Sequence, residues 1–299
     1  ELFVTTGGRG YILDLVTNTL TQVLTDAVMG GHVDRFFLAL DSTSTLRISE
    51  SLDGLTWSAS QIAQRTGASD PWVGMIVSAG DIFLIGDRTG EVWYNAGTSP
   101  FPFAHRRRGD FNVGLAAAWS LALLRDSPVF LGQSKSGAGT VYWMNGYTPN
   151  AISNHAIERA IQGYKDAGGI SDARGWTYER EGHFFYVLTF PTQSKTWVFD
   201  AQTTHWHERG KWSSLSNDFI AYRPIYHAQM YNRNLVCDNA GASVYSLSST
   251  VYTDTGGDVL RRVRRTPHLS NENKRLFFSA FEVEAERGVG LVSGQGSDP

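Results

Sequence analysis

Six segments of this chain share one layout: an apolar strand, a short polar turn, and a second strand carrying an aromatic or aliphatic pair. They start at Leu2, Phe36, Asp81, Pro128, His183 and Arg233. Anchored on Phe3, Phe37, Phe83, Phe130, Tyr186 and Leu235, they recur at separations of 34, 46, 47, 56 and 49 residues. Blades of β-propellers recur at about 40 to 50 residues. A doubly wound α/β fold would place a helix between successive strands, and few of the intervening stretches carry apolar residues at helical spacing. The repeat therefore predicts an all-β propeller of about six blades. The shorter first step suits a ring closed by pairing strands from the two ends of the chain, which removes exposed sheet edges.

One blade-sized unit is readable in full. In HFFYVLTFPTQSKTWVFDAQTTHWHER, a strand from Phe184 to Phe190 is broken by Pro191 and the polar run to Lys195. A second strand runs from Thr196 to Asp200, a turn from Ala201 to Thr204, and a third strand from His205 to Arg209. With 41% hydrophobic residues, 12% aromatics and 31 Gly in 299 residues, the chain can supply a large core and many tight turns. One helix is expected, Asn154 to Tyr164, where Ile157, Ala160, Ile161 and Tyr164 share a face and Ser153 or Asn154 can cap the start. It is expected to pack on its own sheet, with Asp166 to Gly175 the most loop-like stretch. Arg275 to Glu286 alternates as a long strand leaving the ring. These readings divide the chain into a propeller over residues 1–274 and the start of a C-terminal β region, truncated, over 275–299. The strand-like opening at Glu1, without a signal-peptide pattern, and the Gly-rich end lead us to expect a piece of a longer protein.

Charge is nearly balanced, 26 basic against 29 acidic residues for a net −3, which argues against a binder of nucleic acid or anionic membranes held by bulk electrostatics. No stretch approaches the roughly 18 consecutive apolar residues of a membrane span, and no membrane insertion is expected. Cys237 is the single cysteine, so intrachain disulfides and multi-cysteine metal sites are excluded, and it reads as a small buried hydrophobe.

Catalytic and ligand signals are sparse. His205 and His207 flank Trp206 and share a strand face, but no second ligand pair is identifiable by spacing, so they read as solvent-facing histidines. SLDGLTW, Ser51 to Trp57, resembles a shortened Asp-box, a turn-stabilising hairpin of sialidase propellers. Together with the nine Trp residues it keeps open an alternative, a carbohydrate-binding or sialidase-like propeller, which requires several aromatic side chains exposed around one cavity. No motif marks a sialidase arginine triad, and GxSxG is absent. The pairs Gly7-Gly8, Gly30-Gly31 and Gly256-Gly257 read as turn residues. We therefore expect no catalytic residue, no cofactor and no metal.

Two basic clusters stand out, HRRRG with Arg106, Arg107 and Arg108, and RRVRR with Arg261, Arg262, Arg264 and Arg265. On a strand, Arg262 and Arg264 would share one face, and Arg261 and Arg265 the face of Val263. Three roles are open to them: solvated surface, bidentate pairing with carboxylates across a subunit interface, or contact with DNA phosphates.

Asp200, the turn after it and Trp206 resemble the blade consensus of kelch-like propellers. Read with ISNHAIERAIQGY (Ile152 to Tyr164) and FEVEAERGVGLVSGQGSDP (Phe281 to Pro299), the segment His183 to Arg209 resembles the tail hub, or tail nozzle, proteins of short-tailed bacteriophages, also called packaged-DNA stabilisation proteins. The resemblance covers about half of the chain, from Ile152 to Arg209 and from Thr250 to Pro299; the first third matches only in strand layout. It implies a structural virion protein with no catalytic motif to carry over. Such a subunit assembles as a homohexamer below the portal and its adaptor ring, touches other tail proteins and the packaged DNA, prolongs the ejection channel and helps retain the genome. It would be made in the host cytoplasm and reside in the phage tail, with the seven arginines as candidate interface or DNA-channel contacts.

Overall fold

A computed structural model describes residues 1–65, 67–133, 139–251, 253, 254, 257, 260–265, 269, 270, 272, 274–280 and 282. The chain is an all-β, six-bladed propeller with one short helix. All strand pairings are antiparallel and formed between strands near in sequence. The first blade is β1 (Leu2–Thr5), β2 (Gly10–Asp14) and β3 (Thr19–Leu24); the second is β4 (Met29–Val33), β5 (Phe36–Leu40), β6 (Thr45–Ile48) and β7 (Ile62–Gln64). The third is β8 (Trp72–Ser78), β9 (Asp81–Gly86), β10 (Gly90–Asn95) and β11 (Phe103–His105). In the fourth, β12 (Gly114–Leu115) and β13 (Ala122–Leu124) both pair with β14 (Ser127–Gln133), followed by β15 (Gly139–Asn145) and β16 (Thr148–Ala151). The fifth is β17 (Arg174–Arg180), β18 (His183–Phe190), β19 (Lys195–Asp200) and β20 (His205–Glu208). A two-stranded ribbon, β21 (Gly210–Ser213) and β22 (Asp218–Ala221), leads to the sixth blade, β23 (Pro224–Met230), β24 (Arg233–Asp238) and β25 (Val244–Ser246).

The blades hold together through side-chain alternation along their middle strands. On β9, Ile82 and Leu84 join a buried cluster with Leu38, Leu40, Leu46 and Ile48 of the second blade. Phe83 and Ile85, the alternate residues, join Val113, Leu115 and Phe130 of the fourth. On β14, Phe130 faces the third blade while Val129 and Leu131 face Tyr186, Leu188 and Phe190 of the fifth. On β18, Val187 turns the other way, to a cluster with Trp176 and Val236 at the junction with the sixth. Strands covered on both faces need apolar residues at every position. Fully burying each such side chain contributes about 1.5 to 3 kcal/mol.

Polar bonds register these junctions. Tyr186, fully buried, donates its hydroxyl to the carbonyl of Ser120 at 2.7 Å. Thr177 Oγ1 donates to the Leu123 carbonyl at 2.6 Å across the same junction, and Trp72 N–H donates to Ser44 Oγ at 2.5 Å between the second and third blades. Helix α1 (His155–Ala167) is capped by Asn154, whose side chain accepts from the Ile157 N–H at 3.0 Å. It lays Ile157 and Ile161 into the cluster shared by the fourth and fifth blades, and Tyr164 against Phe190 with ring centroids 5.0 Å apart. The helix thus packs on its own sheets and lengthens the step between the fourth and fifth repeats.

Several expectations are corrected. Among the described residues the first blade pairs only β1–β3 and the last only β23–β25, and no pairing between those two sheets is formed. The short first step instead reflects a three-stranded blade built from tight local hairpins. Gly30 and Gly31 are not turn residues but lie within β4, where a Cβ at Gly30 would meet Thr5 Cγ2 at 2.8 Å and one at Gly31 would meet Val77 Cγ2 at 2.9 Å. They let neighbouring blades approach. Cys237 is exposed because β24 buries only one side, through Val236. The compact unit of strands spans Glu1–Leu247, and Ser248–Pro299 forms a second unit. In the range Arg275 to Glu286, the described residues 275–280 and 282 form no strand, and Phe277 and Phe278 are exposed; without a partner strand or a covering core, alternation alone does not fix a strand. Residue 281 and residues 283–286 lie outside the described residues, as does Gly256.

Two measurements follow from this packing. Leu84→Ala is expected to lower stability by about 2 to 5 kcal/mol in urea titrations, whereas exposed Leu215→Ala stays within about 0.5 kcal/mol of wild type. The second concerns acid. Burial alone would raise Asp41, but hydrogen bonds from Thr43, Thr45 and Arg47 outweigh it and hold the carboxyl below its usual range. Burial likewise works against Asp200, and Gln202 N–H, His183 and Thr203 overcome it. A carboxyl lowered in the fold stabilises above its unfolded value and loses that contribution as pH falls, so Tm should be flat above about pH 5 and fall below about pH 4. Asp41→Asn should reduce the size of that fall.

Candidate functional site

The first arginine cluster closes the third blade. After β11 the chain turns at Arg106 to Gly109, with Arg106 N–H donating to the Val92 carbonyl at 2.7 Å. Two of the three arginines point to solvent and one does not. Arg106 Nη2 donates to Asp81 Oδ1 at 2.6 Å, and its guanidinium lies 4.5 Å from the centroid of Tyr94 and 5.6 Å from that of Tyr147. Tyr147, from the fourth blade, donates its hydroxyl to Asp81 Oδ2 at 2.5 Å. That hydrogen bond, with burial behind it, pushes the Tyr147 hydroxyl up, while bonding to Asp81 raises Arg106 further above its already high value. Arg106 is therefore a buttress between two blades, whereas Arg107 and Arg108 are exposed, Arg108 at a left-handed φ of 73°. In the second cluster, Arg261, Arg262, Arg264 and Arg265 are all exposed but lie in irregular chain, so the expected strand faces are not formed.

Beside the first cluster a cavity of about 340 Å³ opens on the outer part of the third blade, bordered by Arg65, Thr89, Glu91, Trp93, His105 and Asp110. Arg65 is almost wholly buried and balances two carboxylates, with Nη1 3.0 Å from Asp70 Oδ1 and Nε 3.4 Å from Glu91 Oε2. Glu91, His105 and Asp110 bring one donor atom each to within 4.8 Å of one another. Sequence spacing did not expose this group, since positions 91, 105 and 110 become neighbours only through the β10–β11 register. The signal that could have found it is the pairing of Trp93 with His105, which puts Glu91 and His105 on one face.

His205 and His207, by contrast, are exposed on β20, as expected. Desolvation first, and then the Arg209 guanidinium with Nη2 3.3 Å from His207 Nε2, push the His207 imidazole down to about 4. SLDGLTW forms a hairpin-like turn in which Asp53 Oδ1 accepts from Leu55 N–H at 2.9 Å and Trp57 Nε1 donates to the Gly54 carbonyl at 2.8 Å. Of the nine Trp that motivate the carbohydrate reading, only Trp119 is exposed, so the tryptophans do not line one open cavity. Trp143, Trp197 and Trp206 spend their indole N–H groups on Leu124, Tyr164 and Ile152 inside the fourth and fifth blades.

Residues 1–252 match the family described as bacteriophage P22 Gp10, beta-propeller. No curated protein matches the chain in sequence. Among solved structures, the N-terminal domain of Nup159 is similar at 13% identity and a TM-score of 0.41, over 79% of this chain and 70% of that one. The computationally designed Ika8 protein is similar at 11% identity and a TM-score of 0.46, over 81% of this chain and 66% of that one.

The split within the arginine cluster is testable by thermal melts. Arg106→Ala, which removes the Asp81 bond and two aromatic contacts, is expected to lower Tm by about 2 to 4 °C. Arg107→Ala and Arg108→Ala should leave it within about 1 °C.

Proposed function

The chain belongs to the phage protein family described as the beta-propeller of bacteriophage P22 Gp10, and on that premise we propose that it is a structural, non-enzymatic subunit of a phage tail hub. What carries the reading is the extent of the match, which takes in every blade of the propeller. In this role six copies form a ring below the portal and its adaptor, contact other tail proteins, extend the ejection channel and help to hold the packaged genome. The subunit is made in the host cytoplasm and ends in the virion.

The physical demands of that role are rigidity and surfaces for neighbours. Apolar clusters at four consecutive blade junctions supply the first. For the second, Arg107 and Arg108 on the third blade, and Arg261, Arg262, Arg264 and Arg265 in the second unit, are the exposed cations that meet carboxylates of a neighbouring subunit or adaptor, or phosphates of DNA. Within the first cluster Arg106 spends its guanidinium on Asp81 and two aromatic rings, which leaves Arg107 and Arg108 to face a neighbour.

The direct experiment mixes the full chain with a recombinant portal–adaptor ring and examines the product by electron microscopy and native mass measurement. A ring of six copies seated on the adaptor is expected; failure to bind at low and physiological salt overturns the reading. Arg107→Glu with Arg108→Glu should weaken that assembly in a salt-dependent manner without changing Tm. Wild-type assembly of this variant, and of one reversed at Arg262 and Arg264, would return both clusters to the role of solvated surface.

A further inference from the structure

We propose that Glu91, His105 and Asp110 form a binding site for one zinc-class divalent cation on the third blade. Three local constraints converge there. The register Trp93↔His105 and Tyr94↔Ala104 places Glu91, Trp93 and His105 on a single face of β10 and β11. The turn at Arg106 to Gly109 then reverses the chain, and paired backbone bonds between Gly90 and Phe111, at 2.8 and 2.9 Å, clamp the returning segment beside β10. That clamp depends on Gly90, where a Cβ would fall 2.1 Å from the Phe111 ring. Asp110 is thus delivered to His105, with Oδ1 2.7 Å from Nε2.

The charge at the site favours a cation. Glu91 is 5% exposed, and its Oε1 accepts a hydrogen bond from Trp93 Nε1 at 2.8 Å. Its Oε2 faces Arg65 Nε at 3.4 Å, and that nitrogen makes no hydrogen bond. Arg65 is already engaged by Asp70 and Thr89. Counting Arg65 as +1 against Asp70, Glu91 and Asp110 as −1 each leaves the group at −2 before His105 is counted. A buried carboxylate with unspent acceptor capacity, beside an imidazole and a second carboxylate, is a donor set of one nitrogen and two oxygens. An imidazole ligand favours Zn²⁺ over Ca²⁺ or Mg²⁺, which take oxygen. Donor atoms within 4.8 Å of one another need to close by about 1 Å to meet a metal at its usual bond lengths of about 2.0 to 2.2 Å. His105 and Asp110, on the exposed rim, have the freedom to do so. The metal takes the place of the hydrogen now shared between them, leaves a further coordination position open to the cavity, and ties the Arg106–Gly109 turn to β10.

The test uses the full chain, washed with chelator and titrated with Zn²⁺ by calorimetry, with metal content measured after gel filtration. One equivalent per chain and a rise in Tm are expected, with affinity reduced tenfold or more in both His105→Ala and Asp110→Asn. These two positions are rim-exposed, and matching metal-free melts check that the variants fold. His205→Ala, which alters the other histidine-rich strand, should bind as wild type, and a large excess of Ca²⁺ should not displace the Zn²⁺. Absence of stoichiometric Zn²⁺, binding untouched by His105→Ala, or loss in His205→Ala instead would each overturn the proposal.

Discussion

The two-sided burial of the middle strands is the constraint on which the rest of the structure depends. A strand such as β9 cannot satisfy the blade before it without presenting its alternate residues to the blade after it, because successive side chains point to opposite faces. Ile82 and Leu84 therefore belong to one core and Phe83 and Ile85 to another. With each middle strand shared in this way, the cores are not independent pockets of oil but a series in which every sheet is both lid and floor. Close packing makes such a series stiff, since a displaced blade disturbs two interfaces at once.

Charged groups are admitted to this series only in compensated sets. Arg65 sits between Asp70 and Glu91, Arg106 between Asp81 and two aromatic rings, and Asp41 beneath Arg47 and three hydrogen bonds from Thr43 and Thr45. Each set lies at a strand end or a junction, where a backbone or side-chain donor from the next element is within reach. Removing one member of such a set leaves its partner desolvated and uncompensated, which costs more than an exposed pair ever contributes. The outermost position of the third blade departs from this pattern, because there the negative groups outnumber the positive one.

How much was legible in the sequence follows from the same physics. Strands buried on both faces print unbroken apolar runs, DIFLIG and HFFYVLTF, and these were readable along with the repeat and the helix capped by Asn154. Where one face is open the print fades: β24 buries Val236 and exposes Cys237, so the lone cysteine was misplaced. The run HRRRG reads as one basic patch, yet the strand end at His105 sends Arg106 under Tyr94 and Tyr147 while Arg107 and Arg108 continue into solvent. Alternation in RRVRR suggested two faces, but faces exist only where a partner strand does. The convergence of Glu91, His105 and Asp110 is a property of register, which separations of 14 and 5 residues along the chain do not carry.

Blade follows blade in chain order, and the apolar clusters link each unit to the next from the second blade to the sixth. Most β proteins of this size fold slowly because their pairings span long loops. Here every sheet forms from strands near in sequence and the four clustered junctions join sequence neighbours, so synthesis and folding can advance together from the N-terminus. A blade that has emerged offers its finished face to the next one, so the growing chain exposes only the open faces of its terminal blades rather than the whole core.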